Sequence, residues 1–222
     1  MKISLVIPTY NEERYIKKCL ESIERQIQKP DEVIIVNNNS TDRTVEIAKK
    51  FNVKIINEKQ QGISFARNRG FNETKYDIIA RCDADCILPK NWVRHIKLSF
   101  ENEQVDALLG PLYYYDLKIP TKKLFIALVN FLKVFLGHYP IIGPNFAITK
   151  KIWNKIKGDV CNDDKIVHED IDLSIHINKA GGKIKYDQKF INTLSSRRLK
   201  NNPYSFFVEY PERCVRTIRN HK

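Results

Sequence analysis

Paired thiols, long apolar runs, a glycine-rich phosphate loop and repeats are all missing from this sequence. Its five cysteines (Cys19, Cys82, Cys86, Cys161, Cys214) are odd in number and form no CxxC pair. This argues against a disulfide framework or a thiolate zinc site and favours a reducing, cytoplasmic setting. The strongest apolar stretch, Leu124 to Leu136, contains Asn130 and Lys133 and falls short of the ~18–20 residues a bilayer span needs. The apolar run at Met1 to Pro8 is too short for a signal peptide and reads as a strand. No Gly-rich loop follows that strand, which argues against a nucleotidyltransferase. Without repeats, low-complexity tracts or Gly/Ser/Pro-rich linkers, one domain over residues 1–222 is expected.

What is present is basic and globular in composition. Lys and Arg number 38 against 26 Asp and Glu, a formal charge of +12, with 42% hydrophobic residues. The excess suits an anionic partner or simple solubility, and by itself selects neither. Short β-branched runs alternate with helical periodicity through the first hundred residues, the pattern of a mostly parallel sheet with helices on both faces. Strands are predicted at Ile3–Ile7, Glu32–Val36, Val53–Ile56 and Asp77–Arg81. Helices are predicted at Glu12–Ile27, with Asn11 as N-cap, from the 37–42 turn to Phe51, and at Ser64–Phe71. Beyond them the spacing predicts a helix at Asn91–Phe100, extended chain at Ala107–Tyr115, a helix at Leu124–Leu136 and a strand at Ile142–Ile148. A helix at Glu169–Ala180 ending at Gly181-Gly182, a strand at Lys183–Asp187 and a helical basic tail from Pro203 complete the prediction.

Asp83-Ala84-Asp85 falls where the fourth strand should end, the position at which open α/β sheets bind ligands. Residues two apart on extended chain point to one side, so both carboxylates could face one hard cation; a solvated turn would look the same. Cys82 and Cys86, which flank the triplet, read as small buried thiols rather than ligands.

The motifs Val6-Ile-Pro-Thr-Tyr-Asn-Glu-Glu13, Val33-Ile-Ile-Val-Asn-Asn-Asn-Ser-Thr-Asp42, Gly62-Ile-Ser-Phe-Ala-Arg-Asn-Arg-Gly70 and Asp83-Ala-Asp85 occur in this order. Gly143-Pro-Asn-Phe-Ala147 and His168-Glu-Asp-Ile-Asp-Leu173 follow. Residues 1–185 thereby resemble the inverting glycosyltransferase family 2, with its GT-A nucleotide-sugar-binding fold. The resemblance implies a donor part at 1–110, an acceptor part at 111–200 and a basic tail at 201–222. It implies Pro8, Thr9, Tyr10, Glu12, Asn38, Gly62, Arg67, Asp83 and Ala84 around the nucleotide sugar, and Mg²⁺ or Mn²⁺ on Asp85 and Asp83. Gly143, Asn145 and Glu169 then belong to the acceptor side and Asp170 is the general base.

Several of these residues also have ordinary explanations. Tyr10 could stack on a base or pack on the sheet; Arg67 could hold phosphate or be solvated. The acids at 169 and 170 would suit any helix N-terminus, and His168 reads as a helix-entry residue. Ser195-Ser-Arg-Arg198 could close over a diphosphate. Asn37 and Asn38 stand where the family often has acids, so UDP is expected first and GDP second. No Gln-x-x-Arg-Trp motif follows the acidic pair, which speaks against processive polymer synthesis.

The acceptor is expected to be a glycan, a lipid-linked saccharide or a protein side chain. The Leu124–Leu136 helix either packs in the core or touches an anionic membrane peripherally, at its inner face. No nucleic acid is expected, although charge alone would also fit a nucleic-acid-binding domain. An inactive GT-A-like scaffold is the other alternative, and the joint presence of Asp83, Asp85 and Asp170 argues against it.

Overall fold

The computed structural model describes residues 1–117 and 121–221, so Lys222 of the predicted basic tail lies outside the described residues. The elements in chain order are β1 (Ile3–Thr9), α1 (Ile16–Glu24), β2 (Glu32–Asn37), α2 (Thr44–Ala48), β3 (Lys54–Asn57), α3 (Ile63–Asn72), β4 (Ile78–Arg81), β5 (Cys86–Ile87) and α4 (Trp92–Asn102). There follow β6 (Ala107–Leu109), β7 (Leu112–Tyr114), α5 (Thr121–Leu136), β8 (Phe146–Thr149), α6 (Lys150–Ile156), α7 (Glu169–Lys179), β9 (Ile184–Tyr186), β10 (Asn192–Leu194) and α8 (Arg197–Asn201). A π-helical turn, Ser205–Glu209, leads into α9 (Tyr210–Asn220).

Among the described residues seven strands form one sheet in the order β3-β2-β1-β4-β8-β6-β9, and β5, β10 and β7 form a second. β1 to β4 are mutually parallel, whereas β8 runs antiparallel to both its neighbours. This is the expected mostly parallel sheet with helices on both faces. Alternation along β1 builds the two layers. Ile3, Leu5 and Ile7 pack with Ile16, Leu20 and Ile23 of α1 and with Trp92 and Ile96 of α4. Val6 points the other way, into a cluster with Ala66 and Phe71 of α3, Trp153 of α6 and Leu173 and Ile177 of α7.

Close approach of α3 to the sheet depends on Gly70. A Cβ there would overlap Val6 Cγ1 and come within 2.8 Å of Val36 Cγ2. Overpacking of this kind costs about 1–3 kcal/mol, against a helix-propensity gain of about 1 kcal/mol for Ala over Gly. Gly70→Ala should therefore lower the denaturation midpoint. A variant as stable as the parent would mean that α3 can back away from β1.

Several boundaries differ from the sequence expectation. The first helix starts at Ile16, and Asn11 is not its cap: it adopts φ 54°, and its side-chain oxygen accepts from Thr41 N at 2.8 Å. The expected strand 107–115 breaks at Gly110-Pro111 into β6 and β7, which join different sheets. β8 starts only at Phe146 because Gly143 turns the chain with φ 73°.

Candidate active site

The parallel strands β1, β2 and β4 end side by side, and the loops leaving them bring the sequence motifs together. After β1, Pro8 and Thr9 are buried, with Thr9 Oγ1 donating to Val36 O at 3.0 Å, while Tyr10 stands 51% exposed. Glu12 is held from behind, its N–H donating to Thr44 Oγ1 at 2.7 Å.

After β4 the chain does not continue extended. Cys86 N donates to Asp83 O at 3.1 Å, making Asp83-Ala84-Asp85-Cys86 a tight turn, so the strand-parity argument for a shared direction of the two carboxylates does not apply. They take different arginines: Asp83 Oδ1 accepts from Arg81 Nη2 at 3.2 Å and Asp85 Oδ2 from Arg197 Nε at 3.1 Å. Ala84 is buried beneath the turn. Cys86 is buried as expected, Asn192 Nδ2 donates to its Sγ at 3.3 Å, and burial pushes its thiol well up, so it stays neutral.

Arg197, at the start of α8, bridges the two motifs by donating to Glu12 Oε1 as well as to Asp85. One guanidinium does not satisfy the group. Glu12 Oε2 is buried without a hydrogen-bond partner among the described residues. Burial, with the charges of Asp85 and Asp83, pushes Glu12 up to about 7 against the pull of Arg197. Burial and then Asp83 push Asp85 up to about 6. Two buried carboxylates, Glu12 and Asp85, therefore share one guanidinium, with the Asp83 charge raising both, a setting in which a divalent cation with oxygen ligands would relieve the repulsion.

A second cluster lies deeper, at the N-terminus of α7. Arg81 Nη1 donates to Asp170 Oδ1 at 2.7 Å and to Glu169 Oε1 at 3.1 Å, while its Nη2 reaches Asp83. Asp170 Oδ2 accepts from Gly143 N at 2.9 Å. Burial and the adjacent Glu169 charge push Asp170 up, against Arg81 and Arg67, while the guanidinium charges of Arg81 and Arg67 overcome burial to hold Glu169 down. The pair thus carries one charge readily and resists a second.

Other expected residues serve as supports. Arg67 is fully buried, its Nη1 donating to Glu169 O at 2.7 Å and its Nε to Asn68 Oδ1 at 2.9 Å, so it does not reach an open donor cleft. Asn38 Nδ2 donates to Glu58 O and Gln60 O, and its Oδ1 accepts from Gly62 N at 2.9 Å. Its polar atoms shape the loop before α3 instead of facing a base. Asn145, 1% exposed, accepts from Trp92 Nε1 and donates to Pro111 O and Phe190 O, a scaffold position. His168 enters α7 as expected; burial holds its ring neutral, and its backbone N–H donates to Thr217 Oγ1 at 2.7 Å.

Sequence reasoning missed Arg81, the hub of the deeper cluster. The sequence carried only part of the signal, an arginine closing the apolar strand Ile78-Ile-Ala-Arg81; in the structure it is 2% exposed, and such a buried charge must have acidic partners.

Comparison with known proteins agrees with this geometry. A family model described as Glycosyl transferase family 2 matches residues 4–166. The chain is 31% identical over 209 residues to the probable glycosyltransferase YdaM of Bacillus subtilis, covering 83% of this chain and 48% of that protein, so it spans about half that relative's length. In fold it is similar to the mannosyltransferase PcManGT of Pyrobaculum calidifontis, solved in complex with GDP-Man and Mn2+, with TM-score 0.79 and 18% identity over 99% of this chain and 63% of that one. It is also similar to glucosyl-3-phosphoglycerate synthase of Mycobacterium tuberculosis, solved with Mn2+, UDP-Glc and phosphoglyceric acid, with TM-score 0.70 and 18% identity over 99% and 79% of the two chains. The sheet is that of GT-A glycosyltransferases, and the chain belongs to glycosyltransferase family 2.

Proposed function

We propose that this chain transfers a sugar, with inversion, from a nucleoside diphosphate sugar to an acceptor hydroxyl. The reading is carried by Glu12 and Asp85, buried carboxylates past the ends of β1 and β4 that share the single guanidinium of Arg197. Asp85 and Asp83, with Glu12 beside them, would hold Mg²⁺ or Mn²⁺, and the ion when bound would neutralise the diphosphate leaving group. Tyr10 lies at the rim, free to stack on a base, while Pro8, Thr9, Ala84 and the Asn38–Gly62 contact shape the floor. Arg197, displaced from its carboxylates by the cation, would turn to the diphosphate. Asp170 would take the acceptor proton, with Arg81 as positioning residue and the Gly143 N–H giving way to the acceptor hydroxyl. Residues 1–110 then serve the donor and 111–200 the acceptor.

A donor-hydrolysis screen over UDP-, GDP- and other nucleotide sugars, with and without Mn²⁺, tests this reading. Mn²⁺-dependent release of one nucleoside diphosphate is the expected result, with UDP-sugars first and GDP-sugars second. No binding or hydrolysis of any donor would favour the scaffold alternative.

A membrane-borne acceptor is favoured by α5. Leu124, Leu128, Phe131, Val134 and Phe135 are 45–80% exposed there, and Val129 is buried. The helix packs against β7, and these apolar side chains stay open to solvent. Among the described residues no helix is long and apolar enough to cross a membrane. Lys123 and Lys133 lie on the same helix, and the chain carries +12, so the complementary occupant of this face is an anionic lipid surface. The loop after α5 carries Gly143 to Asp170, which joins that surface to the acceptor side. Phe131→Glu with Val134→Glu should abolish co-sedimentation with anionic phosphatidylglycerol vesicles and leave donor hydrolysis unchanged. Equal vesicle binding by parent and variant, or a parent that dimerises through α5, would refute the membrane reading.

A further inference from the structure

A cluster of metal-ligating side chains far along the chain plays no part in the chemistry above. Asp172 and His176 are four apart on α7 and share a face, and His221 follows α9 directly. Asp172 Oδ1 lies 2.8 Å from His221 Nε2 and 3.6 Å from His176 Nε2, and the three ligand atoms all lie within 4.8 Å of one another. The two rings meet edge-on at 87°, with centroids 4.8 Å apart.

Hydrogen bonding explains only half of this. The His221 contact is a hydrogen bond, but 3.6 Å from His176 to the same oxygen is too long for one. Ligands at about 2.0–2.1 Å from a tetrahedral ion stand about 3.3 Å apart, and the two observed separations straddle that value. Asp172 is also prepared for single-oxygen ligation: its Oδ2 accepts from Cys161 N at 2.9 Å, which fixes the carboxylate and leaves Oδ1 for an ion.

We propose that Asp172, His176 and His221 form a second metal site, for a Zn²⁺-class ion, that staples α9 to α7. Two imidazoles and one carboxylate suit Zn²⁺, Co²⁺ or Ni²⁺, whereas the all-carboxylate group at Glu12, Asp83 and Asp85 suits Mg²⁺ or Mn²⁺. The two sites are therefore separable by ligand chemistry. Lys179 opposes binding: its Nζ lies 3.4 Å from His221 Nδ1 and 3.1 Å from His221 O. An ammonium only donates, so in the metal-free state Nδ1 accepts and the ring proton sits on Nε2. Coordination through Nε2 shifts that proton to Nδ1, and Lys179 keeps its bond to the carbonyl. The staple would hold α9 where Thr217 Oγ1 accepts from His168 N, at the entry to the turn bearing Glu169 and Asp170.

The test uses chelator-stripped protein titrated with Co²⁺, followed by its visible d–d absorption, with Zn²⁺ as competitor. One Zn²⁺-displaceable Co²⁺ should bind in the parent chain and in Asp85→Ala, and be lost in His221→Gln and His176→Ala. At Zn²⁺ about 100-fold above Kd the parent should gain roughly 5–10 °C in Tm, and His221→Gln should gain none. Co²⁺ binding that survives both histidine changes but disappears in Asp85→Ala would overturn the proposal. So would histidine variants that lower Tm while Zn²⁺ moves neither parent nor variant, since the cluster would then be an ion pair only. Because His221 lies outside every helix and strand, its variant keeps the test usable even if His176→Ala fails to fold.

Discussion

Asp170→Asn is expected to lower transfer by about 10²–10⁴, the usual contribution of a positioned general base, with a much smaller change in donor affinity. The substitution preserves size but not hydrogen bonding. Both Asp170 oxygens accept, one from Arg81 at 2.7 Å and one from Gly143 N at 2.9 Å. An amide can keep only one of these bonds and would set its NH₂ against the other donor. The pH profile separates loss of the base from loss of this geometry. Burial and the Glu169 charge push Asp170 up to about 8 in the donor-free chain. A base works deprotonated, so the parent's transfer rate should rise with pH through the neutral range and level off above the folded value. A cation bound beside Asp83 would move that limb to lower pH. Asp170→Asn should lose the limb altogether. Near-parental turnover with the limb intact would exclude Asp170 and direct attention to Glu169.

The fold was legible because its core strands are local statements. Ile3 to Ile7 and Glu32 to Val36 are short runs rich in β-branched residues, and such runs have few alternatives once helical periodicity lies between them. The short strands were not legible. Cys86–Ile87 and Asn192–Leu194 are strands only because each finds partners distant in the chain, Cys86–Ile87 with β10 and Asn192–Leu194 with both β5 and β7, a tertiary fact with no local signature.

The candidate site follows the same division. Motif order brought Glu12, Asp83, Asp85, Gly143 and Asp170 to the strand ends, but it could not tell a side chain that faces a ligand from one that shapes a loop. Asn38 and Arg67 lie in the same motifs as Glu12, and both are turned inward by backbone carbonyls: Glu58 O and Gln60 O for one, Glu169 O for the other. Arg81 shows the converse. Its role depends on α7 packing across the end of β4, which neither segment encodes alone.

Asp85→Ala is the other change with a large expected effect: it should abolish the divalent-ion-dependent part of nucleotide binding while leaving the fold intact. Little stability should be lost, because burial and Asp83 already push this carboxyl up to about 6 and Arg197 retains Glu12 as a partner. The same burial makes metal binding compete with protons. Glu12 sits at about 7 and Asp85 at about 6, so both are substantially protonated at pH 5 and ionised at pH 8. A cation requires the ionised forms, hence metal-dependent affinity should rise with pH, by up to about tenfold per unit for each carboxylate below its folded value, and then level off. Calorimetry in buffers of different ionisation enthalpy should detect proton release at pH 6 that fades by pH 8. Arg197→Ala provides the control, since that guanidinium holds the two carboxylates which the cation must reach. Removing it should tighten metal binding alone and weaken binding of the nucleoside diphosphate, as expected of an arginine that passes from carboxylate to phosphate. Unchanged metal-dependent nucleotide affinity in Asp85→Ala would remove the ion from this cluster and leave Arg197 as the charge that meets the diphosphate.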